Sequence, residues 1–142
     1  EVLAVLDQLD AERAHGGVAT KIVGVVSAHA TAYLDSFRAR HPVESPVSTR
    51  LADGMACRVP VPESLEVLLR EADDVIAVSD EEVGEAMRIL FSDTHNVAEG
   101  AGAAALAGAL QQRERWRGKT VGISLTGGNV DSGMFAEVLA KA

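Results

Sequence analysis

The run Lys21-Ile22-Val23-Gly24-Val25-Val26-Ser27 constrains the fold of this chain more than any other feature. It is apolar and largely β-branched on successive positions, so it does not alternate between a wet and a dry face. A strand of that kind needs cover on both sides, which parallel sheets obtain from flanking helices. Asp74-Val75-Ile76-Ala77-Val78 repeats the pattern, and residues 119–125 form a third apolar run, so strands are expected at all three. Aromatic residues make up only 4 % of the 142, so the core must be built from Ala, Val, Leu and Ile.

The stretches between these runs carry helical spacing. Residues 1–15 place Val2, Leu3, Leu6 and Leu9 on one side, and Gly16-Gly17 ends that helix. Residues 30–40 put Tyr33, Leu34 and Phe37 together; Pro42 and Pro46 then bracket a loop through Arg50. Leu51-Ala52-Asp53-Gly54 is a turn signal, followed by a short extended piece over residues 55–59 and a helix over 63–71. Ser79-Asp80-Glu81-Glu82 is a capping box that opens a helix to about Ser92, with Val83, Met87 and Leu90 inward. An Ala-rich helix runs from Glu99 or Gly100 to about Arg115, smooth along Ala101, Ala104, Ala105 and Gly108, and Gly118 stops it. A last helix covers residues 132–142. Alternating strands and helices predict an α/β fold of three αβα layers around a mostly parallel sheet, as one domain over residues 1–142.

Net charge is −8, with no Lys/Arg cluster of the kind a nucleic-acid binder presents, so no nucleic-acid partner is expected. No apolar run approaches the ~18 residues of a membrane span, and no signal peptide opens the chain. The one cysteine, Cys57, cannot form an internal disulfide, which fits a reducing cytoplasm, and it reads as a packed thiol. His15, His29, His41 and His95 lack metal-ligand spacing. The chain opens at Glu1, not at a methionine, which leads us to expect a piece of a longer protein.

Three stretches could hold polar groups at strand ends or helix starts: Ala52-Asp53-Gly54, Glu99-Gly100-Ala101-Gly102, and Thr126-Gly127-Gly128-Asn129-Val130-Asp131. The last follows an apolar run and precedes a helix, the place where open α/β sheets hold ligands. In unbroken order with Ile22-Val23-Gly24-Val25 and Asp74-Val75-Ile76-Ala77-Val78-Ser79-Asp80-Glu81-Glu82, these stretches resemble the C-terminal half of threonine and serine dehydratases. Those are pyridoxal-phosphate enzymes of the tryptophan-synthase-β fold, or fold type II. The resemblance covers roughly residues 21–142, and the first 20 residues depart from it.

The resemblance implies pyridoxal 5′-phosphate as cofactor and a small hydroxy-amino acid as substrate. The reaction would be elimination of water and then ammonia to give a 2-oxo acid. Thr126 falls where the family places a Ser, Thr or Cys facing the pyridine nitrogen. A neutral hydroxyl there leaves the ring a weaker electron sink than a carboxylate would, which favours β-elimination over transamination. On the residues alone, Thr126 could equally cap the turn. Gly127 belongs to the same turn and would let the ring approach the backbone. Glu99 matches a glutamate near the ring, or is an acid favoured by a helix N-terminus. Asp53 and Gly54 match the turn beside the cofactor-bearing lysine, or are plain turn chemistry. Asn129 is expected to brace the glycine turn.

The match lacks the parts that do the chemistry. The family's lysine stands in a Ser-x-Lys setting in an N-terminal half, and Lys21, Lys119 and Lys141 have no such setting. The glycine-rich phosphate loop is also missing, since His15-Gly16-Gly17-Val18 leads into a strand. A divalent cation site known in the family falls on Val26 and Ala32, so no metal is expected. The expectation is therefore a C-terminal piece of a catalytic domain, with no catalytic residue of its own and inactive alone. Its partner would be the missing N-terminal half or a second copy. The alternative is a non-catalytic ligand-binding or subunit-pairing module of the same fold.

Overall fold

The computed structural model describes residues 20–141. The helix expected over residues 1–15 and the Gly16-Gly17 stop lie outside them. Two strands, β1 (Val23–Ser27) and β2 (Asp74–Val78), pair in parallel, with Val23 opposite Asp74 and Ser27 opposite Val78. Five α-helices among the described residues surround them: α1 (Ala32–Ala39), α2 (Pro62–Glu71), α3 (Asp80–Thr94), α4 (Gly100–Gln111) and α5 (Ser132–Ala140).

Alternation along the strands assigns the two faces of the sheet. Val25 and Ile76 point at α4, whose Gly108 lies so close that an added Cβ would stand 2.9 Å from Val25 Cγ2. Gly24 and Val75 turn the other way, and Leu68 of α2 approaches Gly24. Helices therefore cover both faces, which is the three-layer αβα arrangement. The densest packing lies between α3 and α4. There Val83, Ala86, Met87, Ala103, Ala104 and Ala107 are buried together with Val78 of β2. Ala and Gly on α4 allow this approach, because bulkier side chains would hold the helices apart.

The capping box forms as the sequence predicts. Glu82 N donates to Ser79 Oγ (3.2 Å), and Ser79 N donates to Glu82 Oε2 (2.7 Å). The helix it opens runs two residues past Ser92, until His95 takes a left-handed conformation at φ 56°. The Ala-rich helix ends earlier than expected, at Gln111. Turns carry the chain on to Gly118, at φ 73°. Arg113, Arg115, Arg117 and Lys119 stand exposed on that connection; Asp74 pairs with Arg115 and Glu114 with Arg117.

Three expectations are corrected. Residues 119–125 do not form a strand; they join neither β1 nor β2, and Val121, Ile123 and Leu125 are 45, 43 and 42 % exposed. Their pattern suits a strand, but a strand also needs a neighbour to pair with, and none of the described residues supplies one. For a related reason β1 is only partly buried. Helices touch its faces, but β2 is its one hydrogen-bonding neighbour among the described residues, and only Ser27 is fully enclosed. The piece expected to be extended over residues 55–59 starts instead within a 3₁₀ turn, Asp53–Met55, closed by Met55 N donating to Ala52 O (2.9 Å).

Candidate active site

The carboxyl ends of β1 and β2 set the position of the site. Beyond β1, Ala28 N donates to Val78 O (2.8 Å), and Ser48 N donates to His29 O (2.8 Å). That second bond lays the loop before Asp53 over the end of the sheet. The loop is laced to α1 as well: Asp35 accepts from Thr31 Oγ1 (2.7 Å) and Ser45 Oγ (2.6 Å), and Ser36 Oγ accepts from Val43 N (2.8 Å). The two hydroxyls hold the Asp35 carboxyl below its ordinary value, and the nearby Arg38 adds to them against a smaller effect of burial.

Here the chain forms a cleft of about 300 Å³. Its walls are Arg50, Leu51, Asp53 and Gly54 from the loop, Glu99, Gly100 and Ala101 from the start of α4, and Asn129, Val130, Asp131 and Met134 from the turn into α5. The three motifs singled out in the sequence thus meet in one place, although they lie far apart along the chain.

Glu99 is the hinge of this arrangement. Its backbone N donates to Gly127 O (3.2 Å), and its carboxylate lies over the glycine turn. A Cβ on Gly127 would stand 2.6 Å from Glu99 Oε1, and φ at Gly127 is 72°, so no other residue fits without strain. One turn further along α4, Gly102 meets the backbone of the same turn, where a Cβ would come within 1.9 Å of Thr126 O. The glycine turn is therefore docked on the first turn of α4 by backbone contact. On the other side, Glu99 Oε1 is 3.8 Å from where a Cβ on Gly54 would stand.

Of the residues expected at the site, Asp53, Gly54 and Glu99 line the cleft, and Gly127 packs on Glu99. Thr126 does not line it. Thr126 is exposed, and its hydroxyl makes no hydrogen bond among the described residues, so it does not cap the turn. Asp131 does the capping: Met134 N donates to its carboxylate (3.0 Å) at the start of α5. Sequence reasoning passed over that cap, although an Asp ahead of an apolar helical stretch is an ordinary start signal. It also passed over Arg50, the one cation among the described residues that line the cleft. The sequence holds no signal for it, because the loop is placed by distant bonds. No lysine among the described residues lines the cleft, and no group of three His, Cys, Asp or Glu residues among them could hold a metal ion. Among those residues, no helix is long and apolar enough to cross a membrane.

A sequence profile of the family of pyridoxal-phosphate dependent enzymes matches residues 4–127. The chain belongs to that family. The match begins inside the first 20 residues, which the motif pattern had set apart. Within the family, the chain is similar to the L-threonine ammonia-lyase of Geobacter sulfurreducens, at 37 % identity over 122 residues, 85 % of this chain and 30 % of that protein. It is similar also to the L-threonine ammonia-lyase of Thermotoga maritima, at 31 % identity over 121 residues, again 85 % of this chain and 30 % of the relative. Among solved structures, a bacterial-type threonine deaminase superimposes with a TM-score of 0.77 at 29 % identity, covering 89 % of this chain and 46 % of that one. A maize serine racemase gives 0.75 at 25 % identity, covering 92 and 40 %. The chain spans about a third of the length of the curated relatives it matches.

Proposed function

We propose that this chain is the C-terminal part of the catalytic domain of a pyridoxal-phosphate-dependent threonine/serine dehydratase. The whole enzyme would remove water and ammonia from a hydroxy-amino acid to give a 2-oxo acid, in a reducing cytoplasm that keeps Cys57 a free thiol. The observation that carries this reading is the meeting of Asp53-Gly54, Glu99 and Gly127 at the carboxyl edge of the sheet. The residues present fit one side of the cofactor. The glycine turn offers open backbone, Glu99 a carboxylate, and Thr126 a hydroxyl without an internal partner among the described residues. When bound, the cofactor supplies the electron sink that makes the substrate's α-proton removable. Thr126 would face the ring nitrogen as a neutral hydroxyl, and Glu99 would hold its carboxylate near the ring while bracing Gly127. Asp53 and Gly54 would form the wall beside the lysine that another part of the enzyme contributes.

On this reading the chain by itself neither eliminates water nor holds the cofactor covalently. Pyridoxal phosphate added to the purified chain should perturb the amide resonances of Gly54, Glu99 and Gly127 without producing an imine absorption band. A band abolished by borohydride would overturn the claim. A second reading is favoured by the lack of a lysine among the described residues of the cleft and by the exposed Val121, Ile123 and Leu125. It makes the chain a non-catalytic ligand-binding or subunit-pairing module, joined to the missing half or to a second copy. Binding of cofactor-free nucleotide, with no response to pyridoxal phosphate, would decide for it.

A further inference from the structure

The wall that carries Asp53 and Gly54 is held from outside the cleft, by a residue that looks at first like part of a solvated acidic helix start. Asp80 is the first residue of α3, directly after the Ser79 cap. Its carboxylate accepts two bonds from the loop, Thr49 Oγ1 to Oδ1 and Arg50 N to Oδ2, each 3.2 Å. Thr49 passes the restraint on, because Ala52 N donates back to Thr49 Oγ1 at 3.2 Å. Ala52 is fully buried, and its carbonyl closes the 3₁₀ turn over Asp53–Met55. From the opposite side, Gly100 of α4 sits against Leu51, where an added Cβ would fall 2.1 Å from Leu51 O. The segment between Thr49 and Ala52 is thus gripped between two helix starts. Neither Asp80 nor Thr49 lines the cleft.

We infer that Asp80 and Thr49 are positioning residues that fix the Asp53-Gly54 wall against Glu99. Asp80 is suited to this because a carboxylate has two oxygens and can serve a side chain and a backbone donor together. Thr49 is suited because its hydroxyl donates to Asp80 and accepts from Ala52 in one chain of bonds. The grip itself is a property of the fold; its consequence for a ligand rests on the proposed cofactor site.

Amide exchange followed by NMR on the full chain tests the grip without any ligand. Thr49→Val keeps the shape and removes the hydroxyl. It should speed exchange at Ala52 roughly five- to tenfold, the effect of losing one ordinary hydrogen bond, and move the Asp53 and Gly54 resonances. Amides inside α3, at Met87 and Leu90, should keep their rates. Thr49→Ser should behave like the unaltered chain. Asp80→Asn, which keeps only one carbonyl acceptor, should speed exchange at Arg50 with less effect at Ala52. Unchanged exchange at both Arg50 and Ala52 in Thr49→Val and Asp80→Asn would overturn the inference, as would an equal rise throughout α3 and α4. Titration with pyridoxal phosphate then adds a separate arm. A weaker response in Thr49→Val but not in Thr49→Ser supports control of the cofactor wall. No response even from the unaltered chain, with the exchange pattern intact, removes the cofactor reading and leaves the grip standing.

Discussion

The two apolar regions of this molecule are treated in opposite ways. Around Met87, on the seam between α3 and α4, the apolar side chains are enclosed and α3 opens on a full capping box. Along Val121, Ile123 and Leu125, an equally apolar stretch lies close to half exposed, and its backbone joins no sheet. Composition does not separate the two regions. Partners do: α3 finds α4 and β2 within the described residues, whereas residues 119–125 find no strand there to pair with. An apolar stretch of strand pattern left unpaired at the edge of a packed unit is a surface suited to association.

The largest effect should come from the enclosed region. Met87→Ala removes most of a fully buried side chain from the seam and should cost about 2–5 kcal/mol, read from denaturant unfolding monitored by far-UV circular dichroism. A loss below about 1 kcal/mol would mean that the seam is not the mainstay of the fold.

Much of that seam was legible in the sequence. Val83, Met87 and Leu90 recur at helical spacing, Ser79 and Glu82 announce the cap through neighbours three residues apart, and β2 begins and ends where its apolar run does. In each case the determining interaction is local or periodic. The cleft was legible only as three separate motifs, since nothing in Glu99 or Asp53 states that they will share one wall. Arg50 was missed because Asp80, 30 residues away, decides where it stands. Residues 119–125 were misread for the opposite reason: their pattern is that of a strand, but pairing depends on another segment.

The next effect tests the contact through which the enclosed region holds the glycine turn. Gly102→Ala would push a methyl group to within 1.9 Å of Thr126 O, so the turn or the helix must shift. A destabilisation of about 1–3 kcal/mol is expected, with resonance changes centred on Thr126, Gly127 and Glu99. If the change left those resonances in place, the docking of the turn on α4 would not stand.

A smaller effect concerns the loop that overlies the sheet end. The carboxyl of Asp35 is held below its ordinary value by Ser45 and Thr31. Because the folded value lies under the unfolded one, this contribution is fully present above an unfolded value of about 3.9 and is lost as pH falls through the folded value. Asp35→Asn should therefore lower stability at pH 6 and flatten its decline below about pH 4. Urea titrations of both chains at pH 6 and pH 3 measure the difference, and parallel declines would remove Asp35 from the account.

The smallest effect on the chain itself is expected at the exposed stretch. Ile123→Thr keeps β-branching, and with the side chain 43 % exposed, it should change unfolding by no more than about 0.5 kcal/mol. Association should respond quite differently. If residues 119–125 pair with the missing half of the enzyme or with a second copy, the same substitution removes apolar area that binding would enclose, and affinity should fall severalfold while the fold stays intact. Sedimentation of the chain alone and with a supplied N-terminal half would separate these cases. A destabilisation of the isolated chain as large as that of Met87→Ala would show that the stretch is already packed, and the contrast between the two regions would fail.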